Sequence, residues 1–364
     1  MPVPLDWVLQ LSSKGSPMKR ISICFFFVFV TSGLSGCNPA PPADTTNSAN
    51  RIDLLVKGDY IVTMDGSGTV IENGAVAIDE GVIIAVGKAA EIVKEMFSDK
   101  DYTVFLTLAG PLVPGGMRQI IRDLIDQGYV HVIVTTGANM VHDMVESLGH
   151  RHWIGTFLAE DEELKDQDIG RIGDIYIGQD AFKALEEWIY KILESIPEEK
   201  RERISTTELL YEIGKRISDP QSILATAAKK GVPIVSPGFV DSIAGFHLWM
   251  FGQDKKLRLD PLLDTHKLVD IVYDAKKAGM IILGGGWPKH YALFANTFRE
   301  GVDSAIQITM DRPEPGGLSG ATLNEAISWG KVKPEGKEVT VICDVTIAFP
   351  LIIASALEGI EKTH

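Results

Sequence analysis

The residue of this chain with the most specific chemistry lies in Glu325-Ala-Ile-Ser-Trp-Gly-Lys331. A lysine that follows Trp-Gly can be held against an aromatic wall, partly out of water. Desolvation disfavours the ammonium, so the amine becomes available as a nucleophile. Amine nucleophiles make imines, and imines allow groups to pass between amines. A lone Trp-Gly-Lys is more often a solvated surface charge. Its surroundings are unusual, however. A glycine-rich loop, Pro315-Gly-Gly-Leu-Ser-Gly-Ala321, precedes it, and a strand-like run ending in an acid, Val339-Thr-Val-Ile-Cys-Asp344, follows it. Two more strand-like runs end abruptly. Met280-Ile-Ile-Leu283 runs into Gly284-Gly-Gly286, where bare backbone lets a ligand approach closely, and Val134 runs into Thr135-Thr-Gly137. A glycine run is equally a tight turn, and no G-x-G-x-x-G fingerprint is present. His290, just beyond the glycines, is either a chemical group or a helix-start histidine. His142, His150 and His152 have no standard metal-ligand spacing, and no metal is expected.

The elements around these residues alternate. Strands are expected at 102–108, 130–134, 232–235, 280–283, 304–309 and 339–343. Helices are expected at 89–96, 117–127, 139–148, 182–193, 207–217, 222–230, 262–278, 290–299 and 346–358. In the helix at 117–127, Ile120, Ile121, Leu124 and Ile125 share one face, and Gly128 closes it. Apolar strands alternating with helices mean a doubly wound, mostly parallel α/β sheet covered on both faces. Ligands of such sheets lie beyond the carboxyl ends of the strands. Residues 52–88 read differently, as a short β-rich segment. Asp53-Leu-Leu-Val56, Tyr60-Ile-Val-Thr63, Ala75-Val-Ala-Ile78 and Val82-Ile-Ile-Ala-Val86 are separated by Asp65-Gly66, Asn73-Gly74 and Glu80-Gly81, all hairpin signals.

The chain has 364 residues, 45% hydrophobic and 23% charged, which is globular composition. Its net charge of −14 argues against a nucleic-acid partner and suits a cationic substrate. Three cysteines, Cys24, Cys37 and Cys343, give no disulfide framework. Met18-Lys-Arg20, the apolar run Ile21 to Leu34 and Leu34-Ser-Gly-Cys37 resemble a bacterial lipoprotein signal over residues 18–37, which makes 1–37 a signal segment, and a Pro/Asn/Thr/Ala linker fills 38–51.

Six separated segments, in one order, resemble deoxyhypusine synthases over about residues 90–358. They are Val134-Thr-Thr-Gly137, Arg171-Ile-Gly173, Val232-Pro-Ile-Val-Ser-Pro237, Met280-Ile-Ile-Leu-Gly-Gly-Gly286, Lys289-His290 and Glu325-Ala-Ile-Ser-Trp-Gly-Lys331. The resemblance implies an NAD-binding catalytic domain over 89–364. Such a domain oxidises spermidine and passes its aminobutyl group through a lysine imine to a lysine of a translation factor. It also implies a homotetramer with active sites at subunit interfaces. By matched position Lys331 is the imine-forming lysine, and His290 moves a proton or touches substrate. Trp329 walls the aliphatic chain, and Glu325 holds an ammonium. Gly316 and Ser319 belong to the closing loop. Thr136, Gly137, Asp241, Gly285, Asp311 and Asp344 match the cofactor's contacts. Departures from the pattern are specific. Gly110-Pro111 follows the first strand, and His142, Phe246 and Leu318 stand where the family has acids for the polyamine. A homospermidine synthase-like enzyme acting on putrescine or another small amine is therefore an alternative, unless other acids such as Asp143 or Asp311 take over the contacts to spermidine.

Residues 52–87 resemble the opening strands of an amidohydrolase, without the His-x-His metal pair of that family: His131-Val-Ile133 stands where it would be needed. A cytoplasmic catalytic domain and an export signal are conflicting addresses. A non-catalytic, lipid-anchored relic is the competing class.

Overall fold

The computed structural model describes residues 54–62, 70–79, 82–83 and 87–361. The lipoprotein-like signal and the linker lie outside the described residues. The amino-terminal strands β1 (Leu54–Val62), β2 (Val70–Asp79) and β3 (Val82–Ile83) form an antiparallel sheet. Two of the expected strands are one continuous β1. Asn73-Gly74 lies inside β2, with Gly74 opposite Gly58, rather than in a turn. A long pairing partner overrode the local turn preference there.

From α1 (Gly87–Ser98) onward the α/β expectation holds. The order continues β4 (Tyr102–Leu108), α2 (Arg118–Asp126), β5 (Val132–Thr135), α3 (Gly137–Ser147), β6 (Trp153–Ile154), α4 (Asp161–Asp166), β7 (Ile169–Ile172) and β8 (Ile175–Gly178). It then runs α5 (Asp180–Ser195), α6 (Glu198–Arg201), α7 (Thr206–Gly214), α8 (Ile223–Lys230), β9 (Ile234–Val235), α9 (Ile243–Asp254), α10 (Pro261–Asp274) and β10 (Lys277–Leu283). It closes with α11 (Gly286–Ala295), β11 (Val302–Thr309), α12 (Leu323–Ser328), β12 (Val332–Ile342) and α13 (Val345–Glu361).

Six strands form one parallel sheet in the order β9-β5-β4-β10-β11-β12. Of these six, β4, β5 and β9 build outward in one direction, and β10, β11 and β12 in the other. The winding therefore reverses between β4 and β10, which pair from Lys277↔Tyr102 to Leu283↔Leu108. Such a reversal leaves a crevice above the two carboxyl ends.

Strand periodicity explains the two cores. Leu106, Leu108, Ile133, Ile281, Leu283, Ile306 and Ile308 face one apolar layer, formed with α1, α2, α3, α5, α7, α8, α9 and α13. Phe105, Val132, Val134, Met280, Ile282 and Ala305 face the other, formed with α10, α11 and α12. Successive side chains of a strand point to opposite faces, so strands buried on both faces read as unbroken apolar runs.

Several boundaries differ from expectation. The helix expected to reach residue 278 ends at Asp274, and β10 begins at Lys277. Asp303 accepts the Ala278 amide at 2.8 Å, and Lys277 pairs with Asp99 at 2.7 Å, so contacts from distant segments pull these residues into the sheet. β12 starts seven residues before Val339, across a register shift opposite Val302–Ser304. The antiparallel sheet β6-β8-β7 and helix α9 were not anticipated. α9 is apolar all round: Leu248 and Phe251 are buried while Phe246 and Trp249 are exposed, so no face stands out in its pattern.

Candidate active site

Helix α12 is built to present its last residues. Thr322 caps its start by accepting the Glu325 amide at 3.3 Å. At its end the Gly330 amide donates to Ile327 O and the Lys331 amide to Ala326 O, with Gly330 left-handed at φ +66°. This pair of bonds is a Schellman stop, and only glycine takes that conformation without strain. The Trp-Gly-Lys triplet is thus a helix ending that sets Trp329 and Lys331 side by side. Lys331 Nζ lies 5.5 Å from the Trp329 ring centroid.

α11 supplies the opposite wall. A pocket of about 290 Å³ between the two helices is lined by His290 and Phe294 from α11, Leu318 from the preceding loop, and Glu325, Trp329 and Lys331. The His290 ring stacks on Phe294, and its Nδ1 is buried without a hydrogen-bond partner among the described residues. Burial, and then the Lys331 charge, hold the His290 pKa below the usual histidine value, which favours a neutral imidazole. Lys289, at the floor of the pocket, is pushed down to about 8 by burial; the Glu325 charge opposes this and the Lys331 charge adds to it. A lysine amine, a carboxylate, an indole and an imidazole held below its usual pKa therefore share one cavity.

A separate cleft of about 580 Å³ opens over the winding reversal. Its floor is the set of strand ends: Ala109-Gly-Pro111 after β4, Gly284-Gly285 after β10, Thr309-Met-Asp311 after β11, and Asp344 after β12. The tip of the β7–β8 hairpin, Ile172–Ile175, and Phe157 line another side, and Ser319 completes it. A Cβ on Gly285 would collide with Ser319, and Gly284 is left-handed at φ +77° with Ala109 O 2.9 Å from its Cβ position. These glycines are required by close backbone approach. The Asp344 carboxylate accepts the Thr346 amide at 2.8 Å at the start of α13. Acids at the ends of β11 and β12, Asp311 and Asp344, line a cleft over the winding reversal whose volume could hold a dinucleotide.

Of the cofactor residues expected from sequence, Gly285, Asp311 and Asp344 line this cleft, and so does Ser319, expected in the closing loop. Thr136, Gly137 and Asp241 are not among the cleft's lining residues but gather beyond the end of β5, beside Gly110 of the cleft. A Cβ on Gly137 would lie 2.8 Å from Ser242, next to Asp241, and Asn139 bridges Thr136 to the Gly110 carbonyl. Gly316 sits in an exposed turn at φ +72° and lines neither cavity. His142 lines neither cavity; its Nδ1 is 2.9 Å from His152 Nε2, and His152 Nδ1 is 2.7 Å from Glu146. Asp143 does not supply a substitute acid. It is fully buried, pairs with Arg118 at 2.7 Å, and accepts the Ile223 and Leu224 amides at the start of α8. Phe246 is exposed on α9 and lies outside the lysine pocket, whereas Leu318 lines it. Sequence reasoning missed Gln307, a buried polar residue in the apolar strand β11, and the part Lys289 plays beside it. A lone glutamine in such a run was the available signal.

Fold and site together define a doubly wound α/β enzyme with a lysine pocket beside a strand-end cleft. The deoxyhypusine synthase family model matches residues 84–356. A protein of Methanothermobacter thermautotrophicus named "Probable deoxyhypusine synthase" is 47% identical over 272 residues, covering 75% of this chain and 88% of that protein. "Probable deoxyhypusine synthase 1" of Methanosarcina acetivorans is 43% identical over 321 residues, covering 88% of this chain and 99% of that protein. A crystal structure from Entamoeba histolytica bearing the same enzyme name superposes with a TM-score of 0.57 at 20% identity, over 75% of this chain and 87% of that one, and shares the fold. The chain belongs to the deoxyhypusine synthase family and is a transferase of that type.

Proposed function

We propose that this transferase moves a 4-aminobutyl group from a polyamine to an acceptor amine through an imine on Lys331. The observation that carries the reading is the gathering of Lys331, Trp329, Glu325 and His290 in one pocket. NAD, held in the strand-end cleft by the Gly284-Gly285 turn, Asp311 and Asp344, would accept a hydride from the amine-bearing carbon and later return it. Glu325 holds one ammonium of the donor, and Trp329 covers its methylene chain. His290, neutral at pH 7, takes the proton released as the donor amine is oxidised. The Lys331 amine adds to the oxidised carbon and expels the donor's remaining amine, here 1,3-diaminopropane. An acceptor lysine then displaces Lys331 by the same exchange. A hypusine-bearing translation factor is the acceptor the family implies.

The lysine pocket and the cleft share no lining residue, and the segment Leu318–Ala321 stands between them. Hydride transfer needs reacting atoms about 3–3.5 Å apart. This separation supports an active site completed across a subunit interface in a homotetramer, each chain giving its cleft to a partner's pocket. The exposed apolar residues Phe246, Trp249, Phe294 and Trp329 suit such a contact.

A second reading concerns the donor. Glu325 is the only acid lining the pocket among the described residues, and Leu318 stands at a position where the family has an acid. An ammonium that finds no acid loses a charge-assisted contact, so putrescine, or another donor with less charge at its far end, would be favoured over spermidine. The test is incubation with NAD and each amine, followed by borohydride trapping and peptide mapping. Spermidine should yield 1,3-diaminopropane and an adduct on Lys331 that Lys331→Ala abolishes. An adduct on another lysine, or none with any polyamine, would overturn the mechanism. Equal saturation by spermidine in the unaltered protein and in Leu318→Asp would overturn the second reading.

A further inference from the structure

Lys289 is 4% exposed, and no carboxylate bonds its ammonium among the described residues. A buried ammonium persists where each proton has an acceptor. Its three acceptors are Gln307 Oε1 at 2.9 Å, the Leu318 carbonyl at 3.1 Å and the Ala321 carbonyl. Gln307 is fully buried in β11, and its amide is committed on both sides. Its oxygen faces Lys289, while its Nε2 donates to the Ser319 carbonyl at 2.7 Å and to the Gly284 carbonyl at 3.1 Å. Turning the amide over would point its NH₂ at the ammonium, so the orientation is fixed. Two side chains thereby hold three carbonyls of the segment between the cavities and one carbonyl of the glycine turn. The Gly286 amide adds a bond to Ser319 Oγ at 2.9 Å. The residues so held face different ways: Leu318 and Ala321 line the lysine pocket, while Ser319 and Gly284 line the cleft.

We propose that Lys289 is a positioning residue which, through Gln307, fixes Leu318–Ala321 as a common wall of the two cavities, so that a change on the pocket side reaches the cofactor cleft. This rests on the reading of the cleft as the NAD site. Lys289 itself lines only the pocket. Ordinary packing would give it a part in overall stability and none in what the cleft binds.

Lys289→Met keeps the length of the side chain and removes all three donors. Two measurements on the full chain test the idea: amide hydrogen exchange without ligand, and NAD binding by calorimetry. In Lys289→Met, residues 317–322 and 284–286 should exchange faster while the rest of the sheet is unchanged. NAD affinity should fall about tenfold, the scale of one or two lost hydrogen bonds. Gln307→Glu, which keeps the acceptor for Lys289 and removes both donors to the carbonyls, should do the same; it replaces Lys289→Met in both measurements if that variant does not fold. Unchanged exchange at 317–322, or unchanged NAD affinity against a binding wild type, overturns the proposal. A wild type that binds no NAD overturns the dinucleotide reading instead, and the exchange measurement still judges the wall.

Discussion

His142 stands where the family pattern has an acid for the substrate, but its contacts tie it to α3 and the loop beyond. Burial, and then the neighbouring His152, lower its pKa to about 4, with the Glu146 charge opposing. An unfolded histidine titrates near 6.5, so between pH 6.5 and 4 the unfolded chain binds a proton that the folded chain does not. Stability contributed by neutral His142 is therefore complete above pH 6.5 and is lost as pH falls toward 4. The effect is on the order of 1–3 kcal/mol, reduced from the full shift because the ring is not wholly enclosed. Urea unfolding at pH 7 and pH 5 should show a larger loss for wild type than for His142→Gln. Parallel losses would mean that another group controls acid stability here. Lys331 and His290 contrast with it: they line one pocket because α11 and the end of α12 face each other across it.

At the scale of elements, the ending of α12 decides whether the site exists. The two bonds from the Gly330 and Lys331 amides depend on Gly330 at φ +66°. A β-carbon there meets nothing within 4 Å, so Gly330→Ala is strained by backbone conformation alone. The left-handed conformation costs an L-residue about 1–2 kcal/mol, which is more than a six-residue helix end is expected to absorb unchanged. The expected outcome is a modest loss of thermal stability and a much larger loss of borohydride-trapped Lys331, because the turn that sets Lys331 beside Trp329 relaxes. Trapping at the wild-type level with the same loss of stability would show that the lysine is placed by other contacts. α3 and α8 illustrate the opposite case. Asp143 ties them together through buried bonds to Arg118 and two helix-start amides, so this conspicuous acid near the expected site is committed to the scaffold.

For the whole molecule, the separation of cleft and pocket makes a prediction about assembly. Lys331→Ala removes the proposed nucleophile, and Asp344→Ala alters the cleft; each variant alone should be inactive or nearly so. If each active site takes its cleft from one subunit and its pocket from another, mixing the two variants under conditions of subunit exchange should recover activity that neither shows. Mixed oligomers without recovered activity would place both halves in one chain. Light scattering on the same samples gives the oligomeric state. Among the described residues no helix is long and apolar enough to cross a membrane, and the lipoprotein-like leader falls outside them. Mass spectrometry of the natural amino terminus, read for a lipid on Cys37, addresses the export reading directly.

The alternation of apolar strands and helices determined the fold class, because a sheet covered on both faces leaves an unbroken apolar run in each strand; β4 was legible to its exact ends, Tyr102–Leu108. The glycines at 284–286 were legible as a special backbone, read as room for a ligand; that Ala109 and Ser319 are what approach Gly284 and Gly285 was not. Trp329, Gly330 and Lys331 are neighbours in the chain, so their company was readable before any folding. Distant partners were not readable. The start of β10 is set by Asp303 and Tyr102, the wall by Gln307 reaching Ser319 and Gly284, and the fate of Asp143 by Arg118 and α8. Each of these depends on which segments the winding of the sheet brings together. Only the tertiary structure decided that the cleft and the lysine pocket lie on opposite sides of one segment, because strand order, and not local sequence, sets which loops share a cavity.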